Sequence, residues 1–445
     1  MEHLVIVGGV AAGLGAAAQA RRIDPKIKIS VFEKTPYVSY GLCSLSFFLK
    51  GDIKNIQDLF IHSVSYFKEK RDIDVFTRHF VQKLDTEKKK IVVIDNTSFE
   101  EKHIPYSKIL IATGARARVP EIPGVELKNI FTFRDIQSVI DLKEYIKKEK
   151  PGKCAIIGGG LIGLTVAEAL KAFDIDILLV DSQNYIPFNF SHDMAQIVSD
   201  ELRKNRIKLL VNSHIDAFLG KDKIEKISID GKLYSIDFAV LTTGVIPDTE
   251  LALSADIELS LHKAIKVNNR MQTSKPHVYA AGDCTHSFHF LTGKEIYLPL
   301  ATITDKQAQI AASNMTGLPR LYKGSIGTVL EKVFSLQIAR TGLTEQQIMA
   351  QGYNYISETI HGRSRAGYFP GAEEIVLKLF INKNDNKILG AEMIGREGVA
   401  KRIDILGCAI YAGLTLHDLY NIDFAYTPPF SPSRDVIWTA AAKLM

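Results

Sequence analysis

Residues 4–13, LVIVGGVAAG, decide the fold of this chain, because they predict a short buried strand that enters a glycine-rich turn. A small-residue helix follows the turn, and a second apolar strand covers residues 27–32. A βαβ unit that binds a dinucleotide needs a tight turn, close approach of the backbone to the pyrophosphate and close helix–strand packing. Gly8 and Gly13 meet the first and last needs, whereas Val10 stands in place of the middle glycine.

An acidic residue supports the same interpretation. Glu33 follows the second strand and lies about 20 residues after Gly13, the offset expected for a carboxylate that binds ribose hydroxyls. We therefore predict a dinucleotide site formed by Gly8, Gly9, Gly13 and Glu33.

The same pattern occurs a second time. Residues 155–163, AIIGGGLIG, predict another strand and glycine turn, and Asp181 follows the next apolar strand. The repeat indicates two nucleotide-binding domains. Asp181 favours NADH, because a carboxylate binds ribose hydroxyls and repels a 2′-phosphate. The predicted contacts of the second site are Gly158, Gly160, Ile162, Gly163 and Asp181.

The composition is that of a globular protein of about three domains, with 445 residues, 46% of them hydrophobic and 24% charged. The net charge of +5 is spread along the chain, so we interpret lysine clusters such as residues 88–90 as solvated faces. No apolar run reaches the ~20 residues of a membrane span, and the N-terminus lacks the pattern of a signal peptide. We expect a cytoplasmic protein with no nucleic-acid or membrane partner.

The rest of the chain predicts a hinge and a third domain. Residues 143–153 are charged and contain Pro-Gly, which indicates a hinge into the second nucleotide-binding domain. From about Tyr322 the pattern becomes typical of an α+β domain. Its predicted elements are apolar strand segments over residues 328–338, 375–381 and 388–394 and an apolar helix over residues 400–412.

The four cysteines, Cys43, Cys154, Cys284 and Cys408, are far apart in the sequence. They form no CxxC pair, no metal-ligand spacing and no disulfide framework. We therefore predict no metal site, and any thiol chemistry has to rest on one cysteine.

Two further motifs, Ile111-Ala-Thr-Gly114 and Gly282-Asp283, resemble those of the pyridine nucleotide–disulfide oxidoreductase family. The resemblance covers essentially the full chain and implies an α/β, glutathione-reductase-like fold with two Rossmann-like domains and an α+β dimerisation domain. The implied division is residues 1–147 and 244–321 for FAD binding, 148–243 for NAD(P)H binding and 322–445 for dimerisation. The implied cofactor contacts also include Lys34, Thr113, Gly114, Arg134, Gly244, Asp283 and Ala301, with Asp283 on the ribityl chain of FAD.

Residues 39–43, SYGLC, decide the branch of the family. The glutathione reductase branch has a CxxxxC pair here, but the second position is Phe48, so Cys43 resembles the cysteine of the single-cysteine branch. That branch contains coenzyme A disulfide reductases, NADH peroxidases and water-forming NADH oxidases. Without a second cysteine, Cys43 forms a mixed disulfide with an external thiol or is oxidised to a sulfenic acid.

Other residues favour the mixed disulfide. Peroxidases and oxidases of this branch place a histidine where Ala11 stands. Segments 365–371 and 426–432 resemble those of coenzyme A disulfide reductases, in which two tyrosines, here Tyr368 and Tyr426, reach the cysteine from the partner subunit of a homodimer. A Tyr426 phenol can donate a proton to the leaving thiolate. By resemblance the coenzyme A contacts are Gln19, Arg22, Ser39, Arg71 and Arg434.

Three positions depart from that subfamily. Leu42 replaces an asparagine that helps to bind the pantetheine arm, Leu161 replaces an aromatic residue, and Thr165 replaces a glutamate. The last two positions belong to the nicotinamide pocket and the support of the flavin site.

The resemblance therefore implies that the chain reduces coenzyme A disulfide with NAD(P)H, through FAD and a Cys43–S–S–CoA mixed disulfide. Persulfides or polysulfides are alternative substrates, although no sulfurtransferase domain follows the third domain, which favours coenzyme A disulfide. An NADH oxidase or peroxidase that uses a Cys43 sulfenic acid is a second alternative. An electron-transfer flavoprotein or a redox sensor, neither of which needs Cys43, is a third.

Overall fold

The computed structural model describes residues 2–445. In chain order its strands are β1 (His3–Val7), β2 (Lys28–Phe32), β3 (Asp74–Phe76), β4 (His79–Asp85), β5 (Lys90–Asp95), β6 (Glu101–Pro105), β7 (Lys108–Ile111), β8 (Ala115–Ala117), β9 (Ile130–Thr132), β10 (Lys153–Ile157), β11 (Asp176–Val180), β12 (Lys208–Leu210), β13 (Ile215–Leu219), β14 (Lys226–Ile229), β15 (Lys232–Ser235), β16 (Phe238–Leu241), β17 (Val245–Pro247), β18 (Val278–Ala280), β19 (Ser287–Phe288), β20 (Glu295–Ile296), β21 (Val329–Val333), β22 (Leu336–Gly342), β23 (Tyr355–Arg363), β24 (Glu374–Asn382) and β25 (Ile388–Gly395).

The α-helices in chain order are α1 (Ala11–Ile23), α2 (Leu45–Lys50), α3 (Val64–Arg71), α4 (Ile136–Glu149), α5 (Leu161–Lys171), α6 (His192–Lys204), α7 (Glu250–Leu253), α8 (Ala301–Met315), α9 (Glu345–Ala350), α10 (Val399–Ala412), α11 (Leu416–Asn421) and α12 (Val436–Leu444). Two short 3₁₀ turns lie at Leu42–Ser44 and Ile56–Leu59.

The first glycine turn belongs to a five-stranded sheet of order β18-β7-β1-β2-β3. All four strand pairings are parallel, and β1 is central. Its strands are apolar without alternation because both faces are covered, and four of the five residues of β1 are buried. Helices α1 and α8 pack on each other. The predicted βαβ unit is confirmed.

The second glycine turn belongs to a matching five-stranded sheet of order β12-β11-β10-β16-β9. Its pairings are also parallel, and β10 holds the central position that β1 holds in the first sheet. The internal repeat is therefore a repeat of topology as well as of sequence. The edge strand β9, residues 130–132, lies three residues before the helix α4 that precedes β10, whereas its counterpart β18 follows β7 in the chain.

The hinge predicted over residues 143–153 is wrong for most of its length. Helix α4 continues to Glu149, so the charged residues form its last turns, and only residues 150–152 separate it from β10. Charged residues form helices well on a solvated face, so a run of them is not evidence that a helix ends.

The predicted α+β domain is confirmed as a five-stranded antiparallel sheet of order β21-β22-β25-β24-β23. Helices α10 and α12 pack on it. The segment 328–338 is two strands rather than one, because the chain reverses at Phe334, which has a φ of +52°. An alternating pattern runs through a two-residue hairpin without interruption, so periodicity alone did not reveal the turn.

The described chain forms two compact units. One contains residues 2–117, 134–139 and 245–325, including the first parallel sheet. The other contains residues 118–133, 140–244 and 326–445, including the second parallel sheet and the antiparallel sheet. The four-segment assignment to FAD binding, NAD(P)H binding and dimerisation stays a prediction.

A buried carboxylate joins the antiparallel sheet of the second unit to the start of α6. Glu392 of β25 is 1% exposed, and its Oε2 accepts hydrogen bonds from the Ser191 backbone nitrogen at 2.9 Å and hydroxyl at 2.6 Å. Desolvation by burial raises the pKa of Glu392 to about 7. Nearby, Lys378 of β24 pairs with Asp193 of α6 at 2.9 Å.

Between residues 2 and 445, none of the helices combines the length and the apolar character that a membrane crossing requires.

We predict that Glu392 makes the fold less stable as the pH rises. Its folded-state pKa lies above the ordinary value of 4.5, so the folded state retains a proton that the unfolded chain loses between those two pKa values. The free energy of unfolding therefore falls through this window, by about 1–3 kcal/mol. Glu392→Gln, which cannot ionise, should lose this part of the pH dependence. The measurement is the thermal unfolding midpoint of both proteins at about pH 5 and about pH 8.

Asp385→Asn, at an exposed position between β24 and β25, is the control and should keep the parent's slope, because its ion-pair partner Lys387 stays charged over this range. Equal pH slopes for the parent and Glu392→Gln would contradict the assignment.

Candidate active site

The first glycine turn is shaped by two close backbone approaches. Gly8 has a φ of +116°, and a Cβ atom there would lie 2.1 Å from the carbonyl oxygen of Ala112. A Cβ atom on Gly13 would lie 1.8 Å from the carbonyl oxygen of Gly8. Only glycine is possible at either position, and α1 consequently starts directly against the end of β1.

Val10, where the motif expects glycine, is the N-cap residue of α1 and makes no side-chain cap. Its counterpart in the second turn is Gly160, where an added Cβ atom would meet nothing within 4 Å. A side chain at this position therefore causes no clash within the protein. The first-turn amide groups of α1 have no side-chain acceptor at the cap, which leaves them available for a phosphate.

Glu33, which is predicted to bind ribose hydroxyls, lies beside the first glycine turn. It is 7% exposed, and its carboxylate accepts hydrogen bonds from the backbone N–H groups of Gly9 and Thr35, each at 2.8 Å. These bonds fix the carboxylate beside the glycine turn. Because each carboxylate oxygen can accept more than one hydrogen bond, both oxygens can also accept from a ribose hydroxyl.

The second glycine turn repeats this geometry. A Cβ atom on Gly163 would lie 1.9 Å from the carbonyl oxygen of Gly158. The Asp181 carboxylate accepts from the N–H of Gly159 at 2.6 Å and from the N–H of Gln183 at 2.8 Å. Ile162 lies in the first turn of α5, which begins after Gly160 with no side-chain cap.

Thr165, where the subfamily has glutamate, turns its hydroxyl back onto its own helix. Its Oγ1 donates to the carbonyl oxygen of Ile162 at 3.0 Å. The hydroxyl is therefore satisfied locally, as is common for threonine within a helix.

Two predicted cofactor residues, Arg134 and Asp283, form a partly buried ion pair of 2.7 Å in the first unit. The Asp283 carboxylate also accepts from the Thr304 hydroxyl at 3.2 Å, and its backbone oxygen accepts from the Tyr297 hydroxyl at 2.8 Å. Ala301 is the first residue of α8, whose N-cap residue makes no side-chain cap. The sequence separates Arg134 and Asp283 by more than a hundred residues, so only the fold reveals the pair.

Three other predicted residues meet at Asp248, which the sequence analysis missed. The Thr113 hydroxyl donates to the backbone oxygen of Asp248 at 2.6 Å, and the Asp248 N–H donates to Gly114 at 2.9 Å. Lys34 pairs with the Asp248 carboxylate at 3.0 Å. No motif surrounds this aspartate in the sequence. Gly244 lies in the other unit, with a φ of +96° and its carbonyl bound to Arg118.

Cys43 lies in an exposed 3₁₀ turn directly before α2. The preceding loop is tied to the first glycine turn, since the N–H of Ser39 donates to Gly9 at 3.0 Å. Ser39 has a φ of +52°, a strained conformation for a residue with a side chain and a recurrent feature of functional loops. The fold therefore ties the segment before the thiol to the first glycine turn.

The other cysteines are not equivalent to Cys43. Cys154 and Cys284 are buried, and burial raises the pKa of both thiols, that of Cys284 to about 11. Cys408 is exposed on α10. Phe48, at the position of the second cysteine in the CxxxxC pattern, is a core residue of α2 with 7% exposure.

The structure brings together the two predicted catalytic tyrosines within the second unit. The hydroxyl oxygens of Tyr368 and Tyr426 are 3.0 Å apart, although the side chains are 76% and 50% exposed. This hydrogen bond raises the pKa of Tyr368. The two loops are also joined by a backbone bond of 3.2 Å from Ala366 to Pro428.

The predicted coenzyme A contacts are distributed over both units. Arg22 and Arg434 are exposed, and the Arg71 guanidinium lies 3.5 Å from the Tyr66 hydroxyl. Gln19 is 9% exposed on the packed face of α1, so its amide has little surface for a ligand. Because Gln19 is a polar residue on a helix of small residues, the sequence did not indicate that its side chain is buried.

Comparison with protein families then decides the identity. The family model described as pyridine nucleotide-disulphide oxidoreductase matches residues 2–311, and the model of that family's dimerisation domain matches residues 331–436. The chain belongs to the pyridine nucleotide-disulphide oxidoreductase family. Its members use FAD and a pyridine nucleotide, and both glycine turns with their acids fit such dinucleotides.

Curated relatives of this oxidoreductase carry three kinds of name. It is 33% identical over 438 residues to an NADH oxidase of Methanocaldococcus jannaschii, covering 98% of this chain and 97% of that protein. It is 33% identical over 444 residues to an NAD(P)H sulfur oxidoreductase (CoA-dependent) of Pyrococcus abyssi, covering 100% and 98%. It is 29% identical over 438 residues to the coenzyme A disulfide reductase of Staphylococcus aureus, covering 98% of each.

Solved structures give the same result. Reduced Bacillus anthracis CoADR-RHD superposes with a TM-score of 0.97 at 33% identity, covering 99% of this oxidoreductase and 79% of that chain. An NAD-dependent persulfide reductase from A. fulgidus superposes with a TM-score of 0.96 at 34% identity, covering 100% and 83%. The predicted fold class and family are confirmed, and the oxidoreductase includes a dimerisation domain.

We predict that Asp181 sets the preference between NADH and NADPH. Asp181→Asn removes the charge that repels a 2′-phosphate but keeps an oxygen that can accept from Gly159. The ratio of kcat/KM for NADPH to that for NADH should rise about tenfold or more. Steady-state kinetics with both nucleotides measure it. Asp176→Asn, exposed at the other end of β11, should leave the ratio unchanged. An unchanged ratio in Asp181→Asn would contradict the role.

Proposed function

We propose that this oxidoreductase reduces coenzyme A disulfide with NAD(P)H, through a mixed disulfide between Cys43 and coenzyme A. The observation that carries the proposal is an exposed thiol, Cys43, that follows a loop bonded to the first glycine turn, with Phe48 in the core where a second cysteine would stand. A single thiol cannot be oxidised to an internal disulfide, so a disulfide at Cys43 takes its second sulfur from the substrate.

The cycle balances as follows. The Cys43 thiolate attacks one sulfur of coenzyme A disulfide, which forms Cys43–S–S–CoA and releases one coenzyme A thiolate. FAD, when bound, supplies the route by which two electrons from NAD(P)H reach this bond. Its cleavage regenerates the Cys43 thiolate and releases the second coenzyme A, and two protons complete the thiols.

The paired tyrosines are proposed as the proton donors to the leaving thiolates. The Tyr368–Tyr426 hydrogen bond orients one phenol toward the other, and both remain exposed and thus reachable by a substrate. We propose that they act on Cys43 of the partner subunit in a homodimer. The exposed cations Arg22 and Arg434 suit the phosphates of coenzyme A, and Ser39 and Arg71 suit supporting contacts.

A persulfide of coenzyme A is a second candidate substrate, favoured by the names of the P. abyssi and A. fulgidus relatives. Attack of Cys43 on its inner sulfur would form the same mixed disulfide and release hydrosulfide in place of coenzyme A. The two candidates therefore share every residue role and differ only in the first leaving group.

The M. jannaschii relative is named an NADH oxidase, and that chemistry would proceed through a Cys43 sulfenic acid. Position 11, at the start of α1, is an exposed alanine and so presents no imidazole to such a group. Oxygen reduction is therefore the outcome that contradicts the proposal.

We predict that purified protein carries a reducible adduct with the mass of coenzyme A on Cys43. Intact mass spectrometry under non-reducing conditions, repeated after dithiothreitol, measures it. Cys43→Ser should lose the adduct and lower coenzyme A disulfide turnover by about a thousandfold or more, because the nucleophile is gone.

Cys408→Ser, at the other exposed cysteine, is the matched control and should behave like the parent. Hydrosulfide release from coenzyme A persulfide at a higher kcat/KM would select the second candidate. An oxygen adduct on Cys43 with rapid oxygen consumption would contradict both candidates.

We predict that Tyr426→Phe slows disulfide reduction about tenfold to a hundredfold, because the leaving thiolate loses its proton donor. NAD(P)H-dependent reduction of ferricyanide, which needs no thiol, should stay within about twofold of the parent. Stopped-flow and steady-state assays measure both. Tyr420→Phe, which can retain its ring stack on Trp438, is the control. Equal losses in both reactions would show damage to the fold instead.

A further inference from the structure

A fully buried arginine lies beneath the tyrosine pair. Arg402 of α10 is 0% exposed. Its Nε and Nη2 atoms both lie 2.8 Å from Oδ2 of Asp435, which is 2% exposed. Burying a guanidinium is costly unless its charge and its donors are matched, and a carboxylate in this geometry does both.

The remaining donors of the guanidinium bind backbone oxygens of two other segments. Nη1 donates to the carbonyl of Gly398 at 3.0 Å, and Nη2 donates to the carbonyl of Ser364 at 3.3 Å. One planar group thus joins the start of α10, the end of β23 and the start of α12.

The bonded residues are the bases of the two tyrosine loops. Ser364 closes the loop that carries Tyr368, since its N–H donates to the carbonyl of Glu373 at 2.8 Å and its hydroxyl accepts from the Glu373 N–H at 3.1 Å. Asp435 closes the segment that carries Tyr426 and caps α12, since its Oδ1 accepts from the Ile437 N–H at 3.1 Å.

Between these bases, two hydrogen bonds join the loops. One is a backbone bond from the buried Ala366 to Pro428, and the other is the exposed hydroxyl pair of Tyr368 and Tyr426. A partly buried ion pair of Arg365 with Glu397 flanks the first loop. An exposed contact such as the hydroxyl pair contributes little rigidity, so the spacing of the tyrosines depends on how firmly the bases are held.

We infer that Arg402 is a positioning residue that sets the spacing of Tyr368 and Tyr426 by holding the bases of both loops. Its effect on catalysis rests on the proposed function, whereas its effect on the pairing of the two phenols does not. Lysine would retain the charge, but a point charge on a flexible stem cannot bind Asp435, Gly398 and Ser364 at once.

The test compares Arg402→Lys with Arg396→Lys in the FAD-loaded enzyme. Arg396 is exposed, forms a loose 3.7 Å pair with Glu373 and lies just before α10, which makes it the matched control. Ultraviolet difference titration follows tyrosinate formation, and the same titration of Tyr368→Phe in each background isolates Tyr368. In Arg402→Lys we expect the pKa of Tyr368 to fall toward the ordinary value of about 10, because its bond to Tyr426 is lost.

In the same variant we expect kcat for coenzyme A disulfide to fall about tenfold to a hundredfold, with ferricyanide reduction within about twofold of the parent. Arg396→Lys should match the parent in every assay. The inference is overturned if Arg402→Lys and Arg396→Lys give the same Tyr368 titration, since Arg402 would then only balance the charge of Asp435.

If Arg402→Lys does not fold, the double variant Arg402→Met/Asp435→Asn takes its place. It removes both buried charges together and keeps a side-chain cap for α12. In this double variant the pKa of Tyr368 must also fall toward its ordinary value, and a titration like that of the parent overturns the inference. Should the parent fail to reduce coenzyme A disulfide, the proposed function fails and the tyrosine titration alone decides the inference.

Discussion

The closeness of a helix to the strand before it is the constraint on which both nucleotide-binding folds depend. In each βαβ unit a glycine of the helix, Gly13 or Gly163, lies so near the carbonyl of the turn glycine that a single added carbon would overlap it. This contact starts the helix at the edge of the sheet and directs its first amide groups outward. The neighbouring acid, Glu33 or Asp181, then binds a turn amide and completes the site. The repeated geometry explains why two such domains share one topology.

The proposed chemistry depends on a second constraint, which is that Cys43 has no partner cysteine nearby in the sequence. Cys154 and Cys284 are sealed in the core, where burial raises the pKa of each thiol and disfavours the reactive thiolate. Cys43 is exposed on the segment that is tied to the first glycine turn, with a core phenylalanine in the place of a partner cysteine. In the proposed cycle the second sulfur therefore comes from a small-molecule substrate, and relatives of this oxidoreductase are named for coenzyme A disulfide, persulfide and sulfur reduction.

Buried ionisable groups tie separate elements of the second unit together. Glu392 of the antiparallel sheet bonds to Ser191 at the start of α6, and Arg402 with Asp435 joins the loops of the tyrosine pair. Both arrangements place ionisable groups in the interior, and for the Arg402–Asp435 ion pair the removal of one partner costs much more than the pair contributes. Such groups therefore specify geometry more than they add stability. A carboxylate and a guanidinium can fix the position of a segment because their hydrogen bonds have direction, which apolar packing lacks.

The sequence by itself determined the two βαβ units and the α+β domain, because each depends on local spacing, such as glycines in a turn and an acid after a strand. The same local reasoning singled out Cys43, a cysteine without a partner, whose reactivity stays a prediction. It predicted a hinge where α4 continues, because a high density of charged residues does not show where a helix ends. It also predicted one strand where β21 and β22 form a hairpin, because the alternating pattern continues through the turn. Only the tertiary structure decided that Arg134 meets Asp283, that Asp248 gathers Thr113 and Lys34, and that Gln19 is buried. These contacts join residues distant in the chain, and no local pattern records which distant segments a fold brings within hydrogen-bonding distance.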